Sequence, residues 1–238
     1  MLKGRSRIAA TTALLSAAAL LAASSASATT LGSNLVAAPN AGICATASGS
    51  AEASCTYAQL QLSSGHHGRE RETAGERSVV TRWRVRSGIS TPATTSVKLR
   101  PRLIEGDKGT SLSGGTPYVD LPLAQPGVHE FPARLPIPKF TLVGLDVLVT
   151  GSGGEASAPI ANDETGVGSI WKWTPALSDG LAPMPVSEEN TELLFNAVVE
   201  PDRDGDGFGD KTQDRCPEDP TRQSHCDHRP PRTKLTYA

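Results

Sequence analysis

Aromatic residues are scarce in this 238-residue chain: three Trp, three Tyr and four Phe, 4% of the total. A core built from it must rest on aliphatic side chains, with each Trp a candidate anchor. Long apolar runs are also missing, save one near the N-terminus, and that one falls short of the roughly 20 residues a membrane span needs. Beyond it, no stretch of ten or more residues carries apolar positions at helical spacing, which excludes a helical bundle. There is no excess of basic charge. Lys and Arg number 23 against 25 Asp and Glu, and this argues against a nucleic-acid binder. No sequence repeats at a fixed period. The motifs that mark an enzyme locally are absent too: no Gly-x-Ser-x-Gly elbow, no His-Glu-x-x-His pair and no Gly-rich phosphate loop. Hydrolysis of a glycoside would need carboxylates such as Glu155, Asp163 and Glu164 to converge in space, and nothing in the sequence singles them out.

What is present begins with an export signal. Lys3, Arg5 and Arg7 precede an Ala/Leu-rich run over Ile8–Ala23, and Ala26-Ser27-Ala28 fits the small-residue cleavage rule. Cleavage is expected after Ala28, leaving a secreted chain that begins at residue 29. No cysteine follows the run closely, which disfavours a lipid-anchored protein. Loss of the three basic residues takes the formal charge from −2 to −5. The Ala-, Gly-, Arg- and Pro-heavy composition suggests a bacterial gene of high GC content. The four cysteines would then meet an oxidising compartment. Four cysteines allow three pairings, and proximity favours Cys44–Cys55 and Cys216–Cys226, each closing a loop of about a dozen residues.

The middle of the chain reads as strands. Between Val79 and Arg86, Thr81, Trp83 and Val85 alternate with Arg82, Arg84 and Arg86. Val97, Leu99 and Leu103 alternate with Lys98, Arg100 and Arg102. Further strands are expected at Leu35–Ala38, Ala58–Leu62, Tyr118–Leu123, Ser169–Trp173 and Glu192–Val199. Phe140–Val149 is apolar enough to be a buried strand, with a bulge at Gly144. Ser63–Gly75, Glu105–Thr116, Gly151–Gly168 and Ala176–Asn190 read as loops. Short strands between Gly, Pro and Ser clusters predict an all-β sandwich over residues 29–200. A jelly roll is the expected form; an immunoglobulin-like sandwich is the alternative, without that family's wide Cys…Trp…Cys spacing. Residues 227–238 read as a disordered basic tail.

Near the C-terminus the sequence turns acidic and periodic: Asp202, Asp204, Asp206 and Asp210, with Gly205, Gly207 and Gly209 between them. Such a segment repels itself unless a cation sits in its middle. Calcium takes six to eight oxygen ligands, and alternation places Asp202, Asp204 and Asp206 at loop positions one, three and five. Gly207 gives the sharp turn, Phe208 offers its backbone carbonyl at position seven and Asp210 stands at nine. A solvated acidic linker is the plainer alternative.

The run Asp-x-Asp-x-Asp-Gly-x-Gly-Asp followed by Asp-x-Cys-Pro, over residues 201–217, resembles a thrombospondin type 3 repeat, a calcium-binding module of extracellular proteins. The resemblance implies a calcium-binding module over 201–226. The family carries a further Asp three residues after the position of Asp210. Here Gln213 stands there and Asp214 one place later, so the last ligand is Gln213, Asp214 or water. The sandwich also resembles secreted bacterial proteins in which a β domain ends in one such acidic repeat.

Three other groups are candidates. Trp171 and Trp173, two apart in a strand, share a face; they are either core or an exposed platform for sugar rings. Arg82, Arg84 and Arg86, joined by Lys98, Arg100 and Arg102 if the strands neighbour, would make a basic face for an anionic polymer; a solvated face is the alternative. His66-His67, among Arg69, Glu70, Arg71 and Glu72, reads as a solvated loop rather than a metal site. Taken together, the sequence predicts a secreted, non-enzymatic calcium-binding β-sandwich protein that serves as a cell-surface or extracellular structural or interaction module. A carbohydrate-binding module and a carboxylate-pair hydrolase are the alternatives.

Overall fold

The structure, a computed structural model, describes residues 28–62, 70–71, 73–105, 110–112, 115–152, 155–163 and 168–226. The predicted export segment up to Ser27, the His66-His67 pair, Glu164 and the basic tail lie outside the described residues. Among the described residues there is no helix, and so none long and apolar enough to cross a membrane.

In chain order the strands are β1 (Thr29–Gly32), β2 (Ala41–Ile43), β3 (Glu52–Gln61), β4 (Glu70–Arg71), β5 (Ser78–Ser87), β6 (Thr94–Glu105), β7 (Thr110–Leu112) and β8 (Val119–Asp120). There follow β9 (Gly127–Ile137), β10 (Thr141–Gly151), β11 (Ala158–Asn162), β12 (Ser169–Trp173), β13 (Gly180–Leu181), β14 (Val186–Glu189), β15 (Glu192–Leu193) and β16 (Phe195–Pro201). They form a five-stranded sheet in the order β4-β1-β16-β5-β9 and a larger sheet in the order β13-β7-β6-β10-β3-β12-β14, with β8 on β6. A small sheet, β15-β11-β2, completes the fold. The pairing is antiparallel apart from β1 with β4. The chain thus forms the expected all-β sandwich.

Alternation decides which side chains meet between the sheets. From the five-stranded sheet come Leu31, Trp83, Val85, Leu135, Ile137, Phe195 and Val199; from the larger one Tyr57, Val97, Leu99, Leu145, Val147 and Val149. Trp83 stacks on Phe131 with ring centroids 4.3 Å apart. Cys44–Cys55 closes beside this core, and the backbone N–H of Cys44 donates to the buried Tyr57 hydroxyl at 2.8 Å. Burial pushes that phenol well above its ordinary pKa.

Several sequence expectations are corrected. Leu35–Ala38 is not a strand: Leu35 sits at φ 60°, a left-handed conformation that strand geometry does not allow. The expected loop at Gly151–Gly168 contains β11, fully buried, and Ala176–Asn190 contains β13 and β14. Gly144 is not a bulge. It stays in register opposite Arg102, and a Cβ there would lie 2.5 Å from the Tyr57 carbonyl oxygen. The bulge falls instead between Thr150 and Gly151. β9 was invisible in the sequence because Pro132 and Pro136 interrupt it. Proline is tolerated there because β9 is the edge of its sheet.

The outer face of the larger sheet carries a second, smaller core. Ala58, Ile104, Leu142 and Trp173 project outward and are covered by Leu177 from the segment after β12. Beside them lie Arg102 and Asp146, both fully buried.

Candidate metal centre

β16 runs without a break into the acidic loop, and the loop folds back onto its own sheet. The Glu200 carboxylate accepts the backbone N–H groups of Lys211 (3.0 Å) and Thr212 (2.9 Å) and the Thr212 hydroxyl (2.8 Å). The Asp210 N–H donates to the Pro201 carbonyl at 2.9 Å, which closes the loop on the strand it left.

Within the loop the carboxylates turn inward. Asp202, buried, accepts from the N–H of Gly205 at 2.8 Å and of Gly207 at 3.3 Å. Asp204 accepts from Asp206 N–H and Asp206 from Phe208 N–H. One oxygen each from Asp202, Asp204 and Asp206 lies within 4.8 Å of the others. These local bonds use only part of the acceptor capacity. Among the described residues, no hydrogen-bond donor reaches buried oxygens of Asp204, Asp210 and Asp214. The Asp210 oxygen has the Arg203 guanidinium, at 3.5 Å, as an ion-pair partner. Burial pushes the carboxyl groups of Asp210 and Asp214 above the usual range. Asp202 and Asp204 add to the push on Asp210, and Asp206, Asp204 and Asp202 to that on Asp214.

The structure separates the two residues that the sequence left level. The Gln213 amide is engaged elsewhere: its oxygen accepts from Gly209 N–H (3.3 Å) and its NH₂ donates to the Ala133 carbonyl (2.9 Å). Asp214 is 3% exposed; one of its oxygens accepts from Cys216 N–H at 2.7 Å and the other is free. Phe208 turns its ring under the Arg134 guanidinium, 4.4 Å from the ring centroid. The Cys216–Cys226 disulfide follows directly, and Gln223, inside the loop it closes, donates to Asp206 at 2.9 Å. The donors gathered here are all oxygens, the chemistry that suits a hard cation and not a thiophilic metal.

The other predicted groups, where they fall among the described residues, lie in separate parts of the fold. Trp171 and Trp173 do share a face, the outer one, but Trp173 is buried in the second core and its N–H donates to the Pro183 carbonyl. The two rings meet edge to face at 81°, so they present no flat platform. Arg82, Arg84 and Arg86 line the outer face of the five-stranded sheet. Lys98, Arg100 and Arg102 lie in the other sheet, so the two stripes form no continuous basic surface. Arg82 lies 3.6 Å from Glu130, Arg84 donates to Asn196, and Arg86 donates to the carbonyls of Leu35 and Val36. Glu155 and Asp163 are exposed.

Sequence reasoning missed the ion-pair network around Asp146. Arg100, Asp146 and Thr56 stand in one row across β6, β10 and β3. Asp146 accepts from Thr56 (2.5 Å), Arg100 (2.8 Å) and Arg102 (2.6 Å), and Arg102 reaches Asp179 (2.6 Å) and the Leu177 carbonyl (2.7 Å). The one sequence signal was an Asp amid the apolar run of β10.

Fold and site together define a β-sandwich that carries an oxygen-lined acidic loop on its C-terminal strand. No protein-family model matches the chain, and neither a curated protein nor a solved structure is found to be similar to it.

Proposed function

We propose that this is an exported calcium-binding β-sandwich protein, a structural or interaction module of the cell surface or extracellular space. The observation that carries the reading is the buried, donor-free oxygen of Asp214, together with those of Asp204 and Asp210, beside the Asp202–Asp204–Asp206 cluster. A buried carboxylate oxygen without a donor is costly, and a divalent cation is the simplest compensation. Asp202, Asp204, Asp206, Asp210 and Asp214 would supply carboxylate oxygens and Phe208 its carbonyl, with Gln213 holding the loop to the sheet. The likeness of residues 201–217 to a thrombospondin type 3 repeat points the same way, as do the two disulfides, which suit an oxidising compartment. The cation would neutralise the loop and fix it on the sandwich. Affinity is expected at roughly 0.1–1 mM, the range of extracellular modules.

Calorimetric titration of calcium into the wild type and Asp204→Ala tests this. Saturable binding in the wild type, weakened at least tenfold in the variant, is the expected result; a wild type that takes up no calcium at 10 mM overturns it. A glycan screen with calcium present then addresses the partner. The perpendicular Trp rings and the divided Arg stripes favour no carbohydrate-binding reading over the structural one.

A further inference from the structure

The acidic loop has two sides. Its carboxylates gather on one, and its glycines face the sandwich on the other. A Cβ on Gly205 would lie 2.6–2.8 Å from the guanidinium of Arg77, one on Gly207 3.2 Å from Pro136, and one on Gly209 2.7–3.0 Å from Glu200 and Thr81. The alternation of Asp and Gly therefore serves two purposes: the Asp positions build the site, and the Gly positions let the loop lie flat against the sheet.

Arg77 is the side chain on which that contact centres. It precedes β5, far from the loop in sequence. Its Nε donates to the Asp202 carbonyl at 3.0 Å and its Nη2 to the Arg203 carbonyl at 2.8 Å. The Arg77 carbonyl in turn accepts the Asp202 N–H at 3.3 Å. The guanidinium thus grips two successive peptide units at the first turn of the loop, on the backbone that joins Asp202 to Asp204. The planar fork suits this double contact; an ammonium group does not.

We infer that Arg77, from the sandwich, is a positioning residue for the cation site and makes the loop one unit with the sheet. This rests on the calcium reading above. The inference has a distinctive sign. Arg77 carries a positive charge near the site, so on Coulomb grounds alone its removal should tighten cation binding. If Arg77 holds the ligands in place, its removal should weaken binding instead.

The test is calorimetric titration of calcium chloride into the full-length wild type, Arg77→Ala and Arg77→Lys, with folding of each checked by circular dichroism. The expected result is affinity about tenfold weaker for Arg77→Ala, the scale of lost hydrogen bonds to a charged group. Arg77→Lys should fall between, although its charge is unchanged. Affinity in Arg77→Ala that is unchanged or tighter overturns the inference and leaves the calcium reading standing. If Arg77→Ala does not fold, Arg77→Lys decides alone: affinity equal to wild type overturns the inference, and a loss of threefold or more supports it. A wild type that binds no calcium removes both readings.

Discussion

Asp146 and Asp214 are both buried, yet their surroundings differ in kind. Asp146 has three side-chain donors, two of them guanidinium groups: Thr56 and Arg100 in its own row across three strands, and Arg102 two residues further along β6. Asp214 has one backbone donor for one oxygen, nothing for the other, and three further carboxylates close enough to push its proton affinity up. The first charge is compensated by the chain itself; the second is arranged for compensation from outside. A buried acid alone therefore says little about function, and the accounting of its oxygens says much more.

That contrast can be broken at either end. The largest effect is expected at the self-compensated end. Asp146→Ala leaves Arg102, fully buried, with only the exposed Asp179 as a charged partner, and should destabilise by about 3–5 kcal/mol in urea unfolding. A loss below about 1 kcal/mol would mean the network contributes little. Next is the Cys216–Cys226 bridge. Replacing both cysteines with Ser frees the loop that holds Gln223 against Asp206, a constraint of roughly 3 kcal/mol on the chain-entropy model. Weaker calcium binding should accompany the loss, and unchanged affinity would detach the bridge from the site.

Calcium itself should come third. At a concentration 100 times Kd it should add about 2.7 kcal/mol to wild-type stability. Asp214→Ala should lose most of that gain, yet stand within about 1 kcal/mol of wild type without calcium, because it also removes a buried unpaired charge. In Asp146→Ala the calcium gain should persist, since distant sites add. A variant at Asp214 that keeps the full calcium shift would exclude that residue as a ligand.

The smallest effect is a reversal with pH. The carboxyl groups of Asp210 and Asp214 lie above their ordinary value in the folded protein, so without calcium the folded state holds protons that the unfolded chain releases. Stability should then rise as pH falls through the window just above the ordinary carboxylate value of 3.8, and be lost as pH rises through it. With saturating calcium the slope should invert, because protons compete for the ligand oxygens. Melting curves over pH 4–6 with calcium or with chelator read both slopes, and parallel slopes would count against the site.

Much of this was legible beforehand where a local rule applied. Period-two alternation marked β5 and β6, a continuous apolar run marked β10, and short cysteine spacing gave both disulfides. The rest was hidden for definite reasons. Pro132 and Pro136 masked β9 because tolerance of proline depends on a strand being at an edge, which no local window reveals. The two Arg stripes look alike in sequence, and a single basic face required their strands to be neighbours. Strand order puts them in different sheets, one of them ending at the buried Arg102.

The amino-acid sequence alone determined the all-β class, the two cysteine pairs and the acidic loop, because each rests on spacing within a dozen residues. Tertiary structure decided what spacing cannot reach. It turned Gln213 toward the sheet and Asp214 inward, set Arg77 beneath Gly205, and gave Asp146 its partners from the two strands that flank it. These are contacts between residues tens to more than a hundred positions apart, and only the strand order and register of the folded chain bring them together.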